Sequence, residues 1–196
     1  MKRFALAFFL ALLLPFAGNA QQALSIKPLA EKKVQALPPG VLFWRIENFG
    51  TLAQAQAAGG AFSLAVESAG KAWLFTLGAQ GGATPGGSKV AEVGPIPRVT
   101  APLYLLRINQ ATGAPGAVTS IHSHPGSEAF YVVSGQQSIR SPHGVMRVEA
   151  GKPAAGQGAD VPMQVSSSGS GDLLALVMFV VDATRPFSTP AKMALQ

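Results

Sequence analysis

The longest apolar stretch of the chain, Leu173-Leu174-Ala175-Leu176-Val177-Met178-Phe179-Val180 within Asp172 to Val181, shows no polar alternation. A run this short with no polar face predicts a strand buried on both sides. Elsewhere apolar and polar positions alternate. Phe62 to Val66 and Lys71 to Leu77 predict a hairpin around Ser68-Ala69-Gly70, and Val41 to Glu47 a strand carrying Trp44, together extending one sheet. Leu103 to Ile108 predicts a strand with Tyr104 and Arg107 on opposite faces. Gln136 to Arg140 and Val145 to Glu149 predict a second hairpin through Ser141-Pro142-His143-Gly144, with His143 at its solvent-facing tip.

Two segments carry helical signals instead. After Pro28, Leu29, Lys33 and Leu37 share a face with Val34 beside them, which predicts a helical turn within an otherwise polar tether over residues 21–40. Thr51-x-x-Gln54 is a capping box for a short helix over Leu52 to Ala58, stopped by Gly59-Gly60. Gly78 to Gly94 contains Gly81-Gly82 and Pro85-Gly86-Gly87 and predicts a loop. It lacks a Walker pattern and a dinucleotide fingerprint, so no phosphate-binding role is assigned to it. The sum is an all-β chain: a single domain over residues 41–184 and a tail over residues 185–196.

Length and composition support one domain, since 196 residues with 48% hydrophobic and 12% charged content suffice for a sizeable core. Met1-Lys2-Arg3, the apolar run Phe4 to Ala17 and the small-residue exit Gly18-Asn19-Ala20 form a signal-peptide pattern with cleavage after Ala20. The apolar run is shorter than the ~20 residues a spanning helix needs, so the reading is export to the periplasm or beyond, with no stable membrane anchor after cleavage. Taking Lys2 and Arg3 from the 15 basic residues leaves 13 against 9 acidic, a formal +4. The charges are scattered without aromatic interleaving, which argues against nucleic acid as a partner. With no cysteine, neither disulfides nor a thiol nucleophile contribute.

Candidate chemistry concentrates in Gly116 to Gly135. His122 and His124 stand two apart, so in a strand both imidazoles leave the same face. Pro125-Gly126 predicts a tight turn, after which Glu128, Phe130 and Val132 share one face of the next strand. Such a hairpin brings a carboxylate to two imidazoles, a donor set suited to a divalent transition metal with open positions.

The spacing Gly116, His122, His124, Glu128, Gly135 resembles the first motif of the cupin superfamily. That resemblance implies a jelly-roll β-barrel with the metal inside it on His122, His124 and Glu128. A second motif, typically with another histidine, completes the site in the family. Here Gly151 to Val165 departs from the pattern, and Met163 falls where the histidine is expected. Met163 is then either a flexible core filler or a thioether ligand, and Gln157 offers a carbonyl oxygen from the same loop. These two are the candidates for a fourth ligand; otherwise water fills the position. Affinity order and export favour Zn or Cu, with Fe, Mn or Ni as alternatives.

Three functions fit these residues. One is an exported binding module that holds a metal and a small organic ligand in its barrel. Another is a metal-dependent oxygenase or isomerase, with Glu128 as ligand or base. The third is a structural barrel in an oligomer such as a homodimer. The altered second motif favours the first, because chemistry demands a fully supported donor set.

Overall fold

The computed structural model describes residues 22–193, so the predicted signal peptide lies outside the described residues. In chain order the strands are β1 (Ser25–Val34), β2 (Phe43–Phe49), β3 (Ser63–Ser68), β4 (Lys71–Gly78), β5 (Ser88–Val93), β6 (Tyr104–Gly113) and β7 (His122–Ser123). They continue as β8 (Gly126–Ser134), β9 (Gln136–Ser141), β10 (Gly144–Glu149), β11 (Pro153–Ala155), β12 (Gln164–Ser167), β13 (Leu173–Asp182) and β14 (Thr189–Pro190). One helix, α1 (Leu52–Ala58), stands between β2 and β3, and Thr51 caps it by accepting from the Gln54 amide at 3.2 Å.

The main sheet runs β1-β6-β13-β8-β11, all neighbours antiparallel. Opposite it lies β10-β9-β12, and bridges from Val118 to Ser166 and from His122 to Met163 set the β7 segment alongside β12. The facing orders β6-β13-β8-β11 and β7-β12-β9-β10 are a double-sheet jelly roll, the barrel expected from the sequence. A third layer, β3-β4-β2-β5, covers the outer face of the main sheet.

This layering explains the unbroken apolar run in β13. Its odd positions, Leu173, Ala175, Val177, Phe179 and Val181, face the barrel interior with Phe130, Val132, Ile139 and Val165. Its even positions, Leu176, Met178 and Val180, pack on Trp44, Ile46, Trp73 and Phe75 of the third layer. Both faces of the strand are therefore dry, and polar alternation has no place in it.

Three expectations are corrected. The segment expected to be helical after Pro28 is the edge strand β1: pairing with β6 overrides its local pattern. Pro28 is tolerated there because an edge strand has one unpaired side and β1 is bulged at this point. Residues 25–34 are thus part of the barrel sheet rather than a tether. The loop over Gly78 to Gly94 ends in β5, a polar strand that pairs with the far side of β2 and whose pattern is hidden by flanking glycines. The pieces from Val41 to Leu77 do lie in one sheet, as expected, and β5 completes it. Finally, Pro125-Gly126 is not a hairpin turn, since β7 pairs with β14 while β8 pairs with β13 and β11. The chain bends at Pro125 from one sheet to the other, and Gly126 lies so close to the Val180 and Val181 backbone that no side chain fits.

Candidate functional site

Between the two sheets of the barrel lies a cavity of about 460 Å³, walled largely by apolar side chains, among them Leu24, Ala111, Val118, Phe130, Val165, Val177 and Phe179. His122, His124 and Glu128 all line it. The two imidazoles stand edge to face with ring centroids 5.0 Å apart, as expected of positions i and i+2.

Each imidazole is fixed by a main-chain carbonyl. His122 Nδ1 lies 2.9 Å from the Ser120 carbonyl, and His124 Nδ1 lies 2.7 Å from that of Phe187. A carbonyl oxygen can only accept, so Nδ1 carries the proton in both rings and Nε2 is left with its lone pair. This is how proteins prepare histidines for metals, the second nitrogen being used to orient the first. Burial pushes the His124 pKa down to about 4, with His122 and Arg107 adding to the effect against the Phe187 carbonyl. Its imidazole is therefore neutral at physiological pH.

Glu128 is brought in by β8, where it pairs across from Phe179 of β13. It is 2% exposed, and its Oε1 has no hydrogen-bond partner. Burial pushes its pKa up to about 8, only partly offset by the Gln157 backbone. Gly156 makes room for it: a β-carbon there would meet Glu128 Cγ and Phe130 Cε2, each at 2.6 Å. The imidazoles of His122 and His124 and the buried, unpartnered carboxyl oxygen of Glu128 are donor types that suit a divalent transition metal. Among the described residues, no three His, Asp or Glu side chains gather tightly enough to form a ready-made metal cage. The pre-arranged part is the histidine pair.

The fourth-ligand candidates fall elsewhere. Met163 is 1% exposed within the apolar cluster of Phe130, Ile139 and Val165 and does not line the cavity. Its backbone exchanges two hydrogen bonds with His122, at 2.8 and 3.0 Å, so it fixes the height of that strand. Gln157 turns its main-chain carbonyl to the Glu128 amide at 3.4 Å, and it too is absent from the cavity wall. His143 is exposed at its turn, as expected.

Sequence reasoning missed three contributors. Arg107 and Asn109 project from β6 into the cavity, in the same face as Leu105 and Ala111. Polar residues at alternate positions flanked by apolar ones on the same face were the available signal. The segment read as a tail is a strap across the site: β14 pairs with β7, and Phe187 stacks against His124, Phe179 and the Arg107 guanidinium at 4.7, 4.9 and 4.1 Å. Arg185 clamps the strap to Asp160 through two hydrogen bonds of 2.6 and 3.0 Å.

No family model and no curated protein matches the sequence. Solved structures do. A cupin-like protein from Thermotoga maritima is similar at 16% identity over 44% of this chain and 64% of its own, with a TM-score of 0.39. A double-stranded β-helix protein from Klebsiella pneumoniae is similar at 20% identity over 45% and 76%, with a TM-score of 0.39. The polyketide cyclase RemF from Streptomyces resistomycificus is similar at 16% identity over 45% and 62%, with a TM-score of 0.38. In the first and third of these the match spans under two thirds of the relative's length.

Proposed function

We propose that this chain is an exported cupin-type binding protein that holds a divalent transition metal on His122 and His124 and a small organic ligand in the adjoining cavity. The observation that carries the reading is the pair of carbonyl anchors on Nδ1, which leaves two Nε2 lone pairs beside the same cavity. Glu128 supplies the neighbouring carboxyl group and is the third donor when deprotonated. Bound metal would supply Lewis acidity and an anchoring point for a ligand atom. Affinities for nitrogen and oxygen donors peak at copper, with zinc also high, so Zn or Cu is the expected occupant of a site that folds after export.

The test is elemental analysis of protein purified from the exported compartment, with His122→Ala/His124→Ala measured in parallel. Wild-type protein is expected to carry about one Zn or Cu ion per chain and the double variant close to none. Equal occupancy in the two would remove the site. Met163→Leu is expected to leave metal content unchanged, because its side chain packs in the core.

A further inference from the structure

The cavity has a second polar feature besides the histidine and glutamate end. On β6, Arg107 and Asn109 both line it, and Asn109 is 2% exposed. Arg107 Nε donates to Asn109 Oδ1 at 2.7 Å. Because a guanidinium only donates, the oxygen end of the amide must face it, and Asn109 Nδ2 is left with two donor hydrogens. No hydrogen-bond partner takes them among the described residues. Arg107 Nη1 is held at 2.7 Å by Glu31, whose side chain is 47% exposed, and Phe187 covers the guanidinium plane from 4.1 Å. Stacking occupies a guanidinium's face and leaves its edges free to donate. Nη2 therefore remains available, beside an amide that has nothing to give but hydrogens.

The cross-strand register fixes where this donor pair stands. Arg107 pairs with Phe179, and Phe179 pairs with Glu128, so Arg107 and Glu128 lie in one row with a single strand between them. Two strand spacings put their backbones about 9 to 10 Å apart. Between them in that row stands Phe179, and Val177 and Phe130 follow Asn109 in the next, with Val165 adding to the apolar wall. A molecule lying along this wall meets hydrogen-bond donors on β6, an apolar middle on β13 and the Glu128 carboxyl on β8.

We propose that the ligand is a small organic acid whose carboxylate is held by Arg107 and Asn109 and whose apolar body lies along Phe130, Val165 and Val177. This deepens the reading of the cavity as a ligand site and rests on it. A carboxylate is the complement because it accepts at both oxygens and carries the charge that a guanidinium stabilises. A neutral amide of the same shape has one accepting oxygen instead of two and brings two unwanted donors. Glu31 tunes the site from the rim, since it competes for the same guanidinium. The apolar middle and the cavity volume suit a short aliphatic or aromatic chain rather than a sugar.

The experiment is isothermal titration of the full exported chain with 3-phenylpropanoate and hexanoate, each beside its primary amide, in chelated and metal-loaded protein. The carboxylates are expected to bind about tenfold or more tightly than the amides. Arg107→Gln and Asn109→Leu are each expected to remove most of that preference, with folding checked by circular dichroism. Glu31→Gln, at an exposed position, is expected to tighten carboxylate binding about threefold to tenfold by releasing Arg107. In His122→Ala/His124→Ala the preference persists even though metal is lost, so failure of the metal reading is seen separately. Equal binding of acid and amide, no binding of any of the four probes, or no gain in Glu31→Gln overturns the proposal. So does a preference that survives Arg107→Gln and vanishes in the double histidine variant, because the anion would then sit on the histidine end.

Discussion

At the scale of single residues, the barrel places two titratable groups in one largely apolar cavity with opposite consequences. Glu128 has its pKa raised by burial from 4.5 to about 8, so the folded chain keeps a proton that the unfolded chain loses. Its contribution to stability is complete below about pH 4.5 and is lost as pH rises toward 8. His124 has its pKa lowered by burial from 6.5 to about 4, so its contribution is complete above 6.5 and is lost as pH falls toward 4. Between about pH 4.5 and 6.5 the two slopes oppose each other. Above 6.5 only the Glu128 slope remains. Metal-free protein is therefore expected to lose stability between pH 6.5 and 8, by at most about 1.4 kcal/mol per pH unit. Urea unfolding across this range should show the decline in wild type and not in Glu128→Gln. A wild-type curve that stays level to pH 8 would mean that the Glu128 carboxyl is not held protonated.

Secondary-structure elements show a different use of buried polar groups. The glycine-rich stretch before β5 is pinned by β2: Glu47 is fully buried and accepts from the Thr84 amide at 2.7 Å and from Thr84 Oγ1 at 2.6 Å. Arg45 pairs with Glu47 at 3.1 Å and donates to the Gly81 carbonyl, while Glu92 accepts from the Gly81 amide at 2.8 Å. The Gly81 and Thr84 amides are thus both committed to carboxylates, which fixes the path of the loop. Burial would raise the Glu47 pKa, but the Thr84 and Arg45 contacts outweigh it and hold it below the usual carboxylate value. Its contribution is thus present above pH 4.5 and lost as pH falls. Glu47→Ala is expected to cost about 3 to 5 kcal/mol in equilibrium unfolding at pH 7, because it leaves the Thr84 amide and hydroxyl without their acceptor and Arg45 without its counter-charge. A cost below about 1 kcal/mol would show that the loop holds without it. Gln137 is the opposite case: fully buried in β9, it has no partner for either amide atom, and Ser167 directly across in β12 is also unpartnered at Oγ. Gln137→Leu is expected to stabilise by about 1 to 3 kcal/mol. If the variant is instead less stable, an ordered water satisfies the pair.

The same elements show what could be read in advance. The hairpin of β3 and β4, the capped helix α1 and the doubly buried β13 were legible because each carries its own periodicity or cap, and the structure places them accordingly. The edge strands β1 and β5 were not. Their residues are half polar because one side meets solvent or a neighbouring layer only partly, so a two-residue period never forms. In the site, the histidines and Glu128 were visible through their spacing. Arg107, Asn109 and Phe187 were not, because their roles come from strands and a strap brought together from distant parts of the chain.

Across the whole molecule, three packed layers make the frame, and the C-terminal strap lies across the site. Phe187 is central to the closure. Its carbonyl orients His124, and its ring packs on His124 and Phe179 and lies against Arg107. The ring thus shields both the imidazole end and the guanidinium end of the cavity from solvent. The outer clamp of Arg185 on Asp160 is half exposed on both sides, so it contributes little by itself. The two parts of the strap are therefore expected to separate under mutation. Phe187→Ala keeps the backbone carbonyl and removes the ring, so water reaches His124 and its pKa rises from about 4 toward 6.5. Arg185→Ala is expected to leave that titration where it was. Following the His124 ring protons by NMR from pH 3.5 to 8 distinguishes the two. If His124 titrates identically in wild type and Phe187→Ala, the barrel walls alone keep the site dry and the strap is not its lid.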